Sequence, residues 1–211
     1  MDTKALFALA DADDAEALIA ALPDKAVRNE NGESLFLYAV FRGRTKCVEA
    51  LKKRGGLNLH EAALAGDVGR VATLLGEAPW AVDLLSPDGW TALHLAAFFG
   101  NDAVVVTLLE RGADARVMGR AFEQNMALHA GAAGGRIGRE AYAKLIAATG
   151  VDARQKQGYT ALMIAASNGF AVGVEALLAA GANRGIALPD GKTAADIAAD
   201  RGHSELEKRL R

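Results

Sequence analysis

Three histidines recur at nearly constant spacing and are the first candidates for chemistry. His60, His94 and His129 stand 34 and 35 residues apart along the chain. Imidazole nitrogens bind zinc and act as general bases, so such a row could indicate a metal centre or a catalytic site. HEAALAG at 60–66, however, lacks the second histidine of a zinc-protease helix. We therefore expect Glu61 to be an ordinary helix residue.

Two further segments contain residues that could do chemistry. GAAGGRIGR at 131–139 is glycine-rich, but it lacks the order G-x-x-x-x-G-K-[ST] of a phosphate-binding loop, and no strand precedes it. An inserted turn is the simpler interpretation. Arg136 and Arg139 leave a small-molecule or anion site open as an alternative. Cys47 lies in TKCVEALKK without a catalytic constellation around it, so we expect a small buried residue.

The composition excludes several classes of protein. The 211 residues are 51% hydrophobic and 24% charged, with a net charge of -2, so no overall field would attract nucleic acid or an anionic membrane. A single cysteine excludes an intrachain disulfide and fits a reducing compartment. The N-terminal residues lack the basic start of a signal peptide, and no uncharged stretch approaches the length of a membrane span. We expect a soluble, cytoplasmic, monomeric protein without a cofactor.

The histidines belong to a sequence pattern that returns along the chain. GWTALHLAAFFGN at 89–101 recurs as GYTALMIAASNGF at 158–170 and as GKTAADIAADRGH at 191–203, with weaker copies at 32–44, 57–67 and 124–136. A period near 34 residues is typical of repeat proteins. A second apolar stripe follows, as in VVVTLLERGADA at 104–115, and a glycine ends it. The unit is therefore predicted to be helix, turn, helix and loop.

This pattern resembles the ankyrin repeat family, whose units read G-x-T-P-L-H-x-A-A-x-x-G and later L-L-x-x-G-A-D. The matching residues are Gly89, Thr91, Leu93, His94, Ala96, Ala97, Gly100, Leu108, Leu109, Gly112, Ala113 and Asp114, while Ala92 replaces the family's proline. The resemblance implies an all-α solenoid of about six helix-turn-helix repeats with short hairpin loops. It also implies a single domain over 1–211, with approximate units 2–31, 32–54, 55–86, 87–121, 122–155 and 156–188 and a C-terminal cap over 189–211.

The resemblance changes the interpretation of the histidines. Adjacent units of such a stack lie roughly 10 Å apart, too far for two imidazoles to share one zinc ion. We therefore expect buried imidazoles that cap helix starts and bridge to backbone groups, with Thr91 and Thr160 as N-cap residues. His203, in the terminal unit, is expected at the surface.

Two units depart from the family pattern. From 32 to 55 the chain is some ten residues short of a repeat, so we expect the hairpin between the second and third units to be missing. The fifth unit is about three residues too long, and Gly131 stands where the family has alanine. That glycine should weaken its helix by roughly 1 kcal/mol.

Function is expected in the residues that change between repeats. By resemblance, these positions face a concave groove, which implies a non-enzymatic module that binds another protein. The predicted partner-binding residues are Trp90, Phe98, Phe99, Tyr159, Phe41, Arg42 and Arg201, because exposed aromatic residues and arginines dominate interfaces. The alternative is that some rings only pack on a neighbouring loop or fill the space of the missing hairpin. A structural spacer is a third possibility.

Overall fold

The regular secondary structure of the protein is helical. The computed structural model describes residues 2–23, 27–30, 32–120 and 124–211. Within these ranges there are fourteen α-helices and one short 3-10 helix, Pro79–Ala81, and strand pairing is limited to isolated bridges. None of these helices is long and apolar enough to span a membrane. The α-helices are α1 (Thr3–Asp11), α2 (Ala15–Ala21), α3 (Leu35–Phe41), α4 (Thr45–Arg54), α5 (Leu59–Ala65), α6 (Val68–Glu77), α7 (Ala92–Phe99), α8 (Asp102–Glu110), α9 (Ala127–Gly134), α10 (Arg139–Thr149), α11 (Ala161–Ser167), α12 (Ala171–Ala179), α13 (Ala194–Asp200) and α14 (Ser204–Leu210).

The helices alternate between two kinds, which we call inner (odd numbers) and outer (even numbers). Several inner helices begin at the threonine or serine of the repeating pattern. The side chains of Ser34, Thr91, Thr160 and Thr193 each accept a hydrogen bond from the backbone N–H three residues on. These bonds satisfy N–H groups that have no partner inside the helix. The N-cap predictions for Thr91 and Thr160 are confirmed.

The first of two compact units comprises residues 1–61. In it, α1 packs on α3 and α2 packs on α4. The apolar residues between them are buried; they include Leu6, Phe7, Leu18, Leu35, Phe36 and Leu51. Two stacked helix pairs thus bury the apolar stripes that neither pair covers alone.

The second compact unit comprises residues 62–211. The inner helices α7, α9, α11 and α13 pack in chain order, each on the next, and so do the outer helices α6, α8, α10 and α12. The core is built from the leucines of the repeating pattern, which are almost fully buried: Leu93, Leu108, Leu128, Leu145, Leu162 and Leu177. The loop that precedes each inner helix is called a finger below.

The hairpin predicted to be missing is absent, since only residues 55–58 separate α4 from α5. The start of α5 is reorganised as a result. Asn58 Oδ1 accepts the backbone N–H of Glu61 at 3.0 Å, and Glu61 Oε2 accepts the backbone N–H of Asn58 at 3.0 Å. This reciprocal cap stands where α7, α11 and α13 have a threonine. Glu61 is therefore a capping residue and not the ordinary helix residue expected from the sequence.

The glycines of α9 allow two close approaches. A Cβ atom at Gly131 would lie 3.2 Å from the Tyr142 ring, which is fully buried. A Cβ atom at Gly134 would overlap the carbonyl group of Phe98 in α7. The longer turn predicted for this unit is present, since residues 135–138 separate α9 from α10 whereas only residues 100–101 separate α7 from α8. Gly131 thus makes room for a large aromatic side chain.

Candidate functional site

His94 is a buried structural residue that joins two repeats. Its Nε2 lies 2.9 Å from the Asn125 carbonyl oxygen, and because a carbonyl only accepts, Nε2 carries the proton. Nδ1 then accepts the Thr91 hydroxyl at 2.7 Å. The side chain is 1% exposed, and burial lowers its pKa, so the imidazole is neutral near pH 7. Both ring nitrogens are bonded within the core, so the imidazole links the two repeats.

His129 repeats this arrangement one unit later. Its Nε2 donates to the Ala153 carbonyl at 3.0 Å, and its Nδ1 accepts the backbone N–H of Met126 at 3.3 Å. Burial lowers the pKa of this imidazole as well. The scaffold prediction is confirmed for both residues. His60 is only half-buried, and its helix begins with the Asn58–Glu61 cap. Among the residues that the structure describes, no three His, Cys, Asp or Glu side chains are arranged to hold a metal ion.

The surface prediction for His203 is wrong. The side chain is half-buried, and Nε2 donates to the Ser167 carbonyl at 3.2 Å. Its ring lies over Gly169, where an added Cβ would come within 2.7 Å of the ring. Phe170 packs over Gly135 in the preceding unit in the same manner. The residue after each repeat glycine therefore covers the glycine of the unit before, which only the stacking of units reveals.

The contacts of the glycine-rich segment 131–139 favour an inserted turn. Asp102 Oδ1 accepts the backbone N–H of Gly138 at 2.9 Å, so the chain's own carboxylate lies where an anion would bind. Arg139 pairs with Glu175 at 2.6 Å. Glu175 also contacts Arg209, and hydrogen bonds from Arg139 and then Arg209 lower its pKa. The Gly138 N–H and the Arg139 guanidinium are therefore engaged within the protein, whereas Arg136 is exposed.

Cys47 is fully buried, as predicted. Burial and the neighbouring Asp13 raise the pKa of the thiol to about 11. The Asp13 carboxylate accepts the backbone N–H of Cys47 at 2.9 Å and so caps α4 from the preceding helix pair. A thiol in these surroundings is protonated at neutral pH and is a poor nucleophile.

The aromatic residues around α7 form one row of rings. Trp90 stands edge-on to Phe98 with the ring centroids 5.7 Å apart, and Phe98 stands edge-on to Phe99 at 5.3 Å. Trp90 also contacts the His94 ring, with centroids 5.8 Å apart. All three predicted residues are half-buried, so each ring packs on its neighbours and still exposes part of its surface. The structure brings together three of the predicted site residues.

Tyr159 and Arg201 line a groove of about 440 Å³ between the fingers and the inner helices of the second compact unit. The finger side of this groove carries polar side chains, and the helix side carries Ile164 and Ile197. The remaining lining residues are Asn125, Ala133, Gln155, Gln157, Ser167, Asn168, Leu188, Asp190, Lys192 and Asp200. Two of the predicted residues, Tyr159 and Arg201, therefore line one concavity.

Phe41 and Arg42 belong to the compact unit of residues 1–61. Phe41 is 55% exposed. The Arg42 guanidinium lies 4.8 Å from the centroid of the Tyr38 ring and 3.6 Å from Asp11. Tyr38 donates its hydroxyl to Asp11 at 2.7 Å, and this bond raises the pKa of Tyr38. The contacts with Asp11 and Tyr38 orient Arg42 beside an exposed ring.

The most exposed large apolar side chain of the described residues is Trp80, which the repeat pattern does not identify. It is 74% exposed and lies in the 3-10 helix Pro79–Ala81, after α6. The available signal was a tryptophan next to a proline in LLGEAPWAVDLL, outside the recurring positions. Periodicity compares positions that recur between units, so it gives no information about a residue outside those positions.

Stacked pairs of antiparallel helices, threonine N-caps and bridging histidines define a helical repeat protein. The chain belongs to the ankyrin repeat family, since the family model of ankyrin repeats matches it in three copies, over residues 5–119, 59–152 and 128–210. The predicted fold class, an all-α ankyrin type, is confirmed. Ankyrin repeats generally mediate protein–protein interactions, and the family is generally non-enzymatic.

The chain is similar to several curated proteins. It is 32% identical over 153 residues to a transient receptor potential cation channel subfamily A member 1 homolog of Caenorhabditis elegans, which covers 71% of this chain and 12% of that protein. It is 32% identical over 71 residues to the human NAD-capped RNA hydrolase NUDT12, covering 34% of this chain and 15% of that protein. It is 30% identical over 90 residues to the Notch-regulated ankyrin repeat-containing protein of Xenopus laevis, covering 41% of this chain and 76% of that protein. The chain therefore spans only a small part of the first two relatives.

Proposed function

We propose that this chain is a non-enzymatic protein-binding module whose partner contacts the variable aromatic and basic residues. These residues are Trp90, Phe98, Phe99, Tyr159, Phe41, Arg42 and Arg201. The observation that carries the proposal is a difference in burial between the recurring and the variable residues of α7 and its finger. The recurring Thr91 and His94 are 2% and 1% exposed, whereas the variable Trp90 and Phe98 beside them are only half-buried. Ring surface that the core does not use is available to a partner.

The packing of these rings favours binding. Trp90 and Phe99 contact Phe98 from two sides, so the rings lose little conformational freedom when a partner docks. Aromatic and arginine side chains provide most of the binding energy in typical interfaces. A stable complex buries about 1,600 Å² in total, or roughly 800 Å² on each partner. A row of three rings and the groove of Tyr159 would supply the central part of such an area.

The test is affinity capture from native lysate with mass spectrometry. We expect the double variant Trp90→Ala, Tyr159→Ala to lose the partner that the wild-type chain retains, by a factor of at least ten. Circular dichroism checks that the variant is folded. The matched control is Trp80→Ala, which removes an exposed tryptophan outside the predicted site. We expect this control to retain the partner.

Three results would overturn parts of the proposal. Loss of the partner with Trp80→Ala but not with the double variant would move the binding surface to the 3-10 helix. Equal capture by all three proteins would remove the assignment of Trp90 and Tyr159. A wild-type chain that retains nothing would favour a structural spacer. The single-domain organisation over 1–211, the monomeric state and the cytoplasmic location remain predictions.

A further inference from the structure

The charged residues of the groove at Tyr159 are unevenly paired. Lys192 donates to Asp200 at 2.7 Å, and the charge of Asp190 also faces Lys192. Both carboxylates of the groove are therefore near the same ammonium group. The Arg201 side chain, in contrast, has no hydrogen bond or ion pair with any residue that the structure describes. Arg201 is the cation of this groove that still lacks a carboxylate.

The fingers contribute side-chain amides to the same groove. Gln155 donates its amide to Gln157 at 3.2 Å, and both line the groove with Asn125. Asn125 is 4% exposed, and its Oδ1 has no hydrogen-bond partner among the described residues. A primary amide offers both a donor and an acceptor, as a peptide group does. Asn125 and Gln155 are buried, at 4% and 7% exposed, so the exposed Gln157 is the amide of this wall that can pair with the backbone of an extended chain.

The length of the groove fits a short peptide. Its lining residues come from three inner helices, α9, α11 and α13, and from the fingers before them. Packed helices lie about 8–10 Å apart, so three of them span roughly 20 Å. An extended chain rises about 3.3 Å per residue, and about six residues cover that distance.

We propose that this groove binds an extended segment of a partner protein that carries an acidic side chain, and that Arg201 recognises the carboxylate. The apolar side chains of the segment lie against Ile164 and Ile197, and its backbone faces the amide of Gln157. A guanidinium donates two parallel N–H groups to a carboxylate, so the contact depends on the orientation of the two groups as well as on their charges. This inference rests on the proposed function and specifies the chemistry of the partner.

The test is selection of a random heptapeptide library displayed on phage against the full chain. We expect peptides selected on the wild type to contain Asp or Glu at one common position. On Arg201→Glu we expect this preference to change to Lys or Arg. The matched control is Arg184→Glu, which makes the same charge change at an exposed arginine outside the groove. This control should leave the acidic preference unchanged.

A binding measurement with one selected peptide makes the test quantitative. Replacing its acidic residue by Gln or Asn should weaken binding to the wild type about fivefold, the value for a partly exposed ion pair of about 1 kcal/mol. The same replacement in the peptide should not change its affinity for the Arg201→Ala variant. Failure to enrich any peptide, absence of an acidic preference, or a preference that survives Arg201→Glu would each overturn the inference.

The two proposals fail in different ways. In one outcome, lysate capture depends on Trp90 and Tyr159 while the selected peptides show no acidic preference. That result would support the proposed function and contradict the role of Arg201. Conversely, binding of acidic peptides that requires Arg201, together with partner capture by the double aromatic variant, would support the role of Arg201. It would contradict the assignment of the aromatic surface.

Discussion

The close approach of α7 and α9 predicts that a side chain added at Gly134 lowers the stability of the protein. Gly134 lies at the end of α9, and a Cβ added there would stand 2.7 Å from the carbonyl carbon of Phe98 and 2.9 Å from its Cα. Unstrained carbon–carbon contacts lie at about 3.5–4.0 Å. In Gly134→Ala the two helices must therefore separate by roughly 1 Å. The obstructing atoms belong to the backbone, so no side-chain rotation relieves the contact.

The two opposing effects can be compared in magnitude. Replacing glycine by alanine favours the helix by at most about 1 kcal/mol. Overpacking a tightly packed contact costs about 1–3 kcal/mol. We therefore expect Gly134→Ala to lower the free energy of unfolding by about 1–2 kcal/mol. Displacement of Phe98 should also change the fluorescence of Trp90, whose ring contacts it.

Gly76 provides the matched control. It lies inside α6, and a Cβ there would have no atom within 4 Å. Gly76→Ala should therefore raise the free energy of unfolding by up to about 1 kcal/mol. Both glycines lie in the compact unit of residues 62–211, so urea unfolding followed by circular dichroism reports on the same unit. If Gly134→Ala proves as stable as Gly76→Ala, the close packing of α7 and α9 is wrong.

Three further predictions concern buried groups. His94→Ala should lower the free energy of unfolding by about 3 kcal/mol, because it opens a cavity and leaves the Asn125 carbonyl without its donor; a loss below about 1 kcal/mol in urea unfolding would contradict the bridging role. The melting temperature should be nearly constant between about pH 7 and 8 and fall as the pH drops below about 6.5. Burial lowers the pKa values of His94 and His129 in the folded state, so the unfolded chain binds more protons in this range; a flat profile there would contradict their burial as neutral groups. Cys47, with its pKa raised to about 11, should react with a thiol reagent at pH 8 only after unfolding, and equal rates with and without denaturant would disprove its burial.

The recurring residues were predictable from the sequence because the same residue makes the same kind of contact where it recurs. Thr91 caps its own helix three residues on, and this geometry depends only on the helix start. His94 and His129 recur with the pattern and have the bridging role expected of them. The missing hairpin was predictable from length, since four residues cannot form a helix connection and a hairpin together.

Contacts that non-recurring residues make with the neighbouring unit were not predictable in this way. His203 was expected at the surface, yet it covers Gly169 of the preceding unit. Gly131 was interpreted as a weak point of its helix, yet it accommodates the ring of Tyr142. In both cases the reason is a side chain that approaches from another helix, and a one-dimensional pattern contains no record of that approach.

The candidate site shows the same division. The sequence determined by itself that Trp90, Phe98, Tyr159 and Arg201 stand at variable positions of a repeating unit, because periodicity separates recurring residues from changing ones. The tertiary structure decided that Trp90 and Phe98 share one row of rings, and that Tyr159 and Arg201 share a groove in which Lys192 already holds the carboxylates. The physical reason is that repetition specifies which face of a unit is exposed, whereas pairing between charges and rings depends on distances that arise only when the units stack.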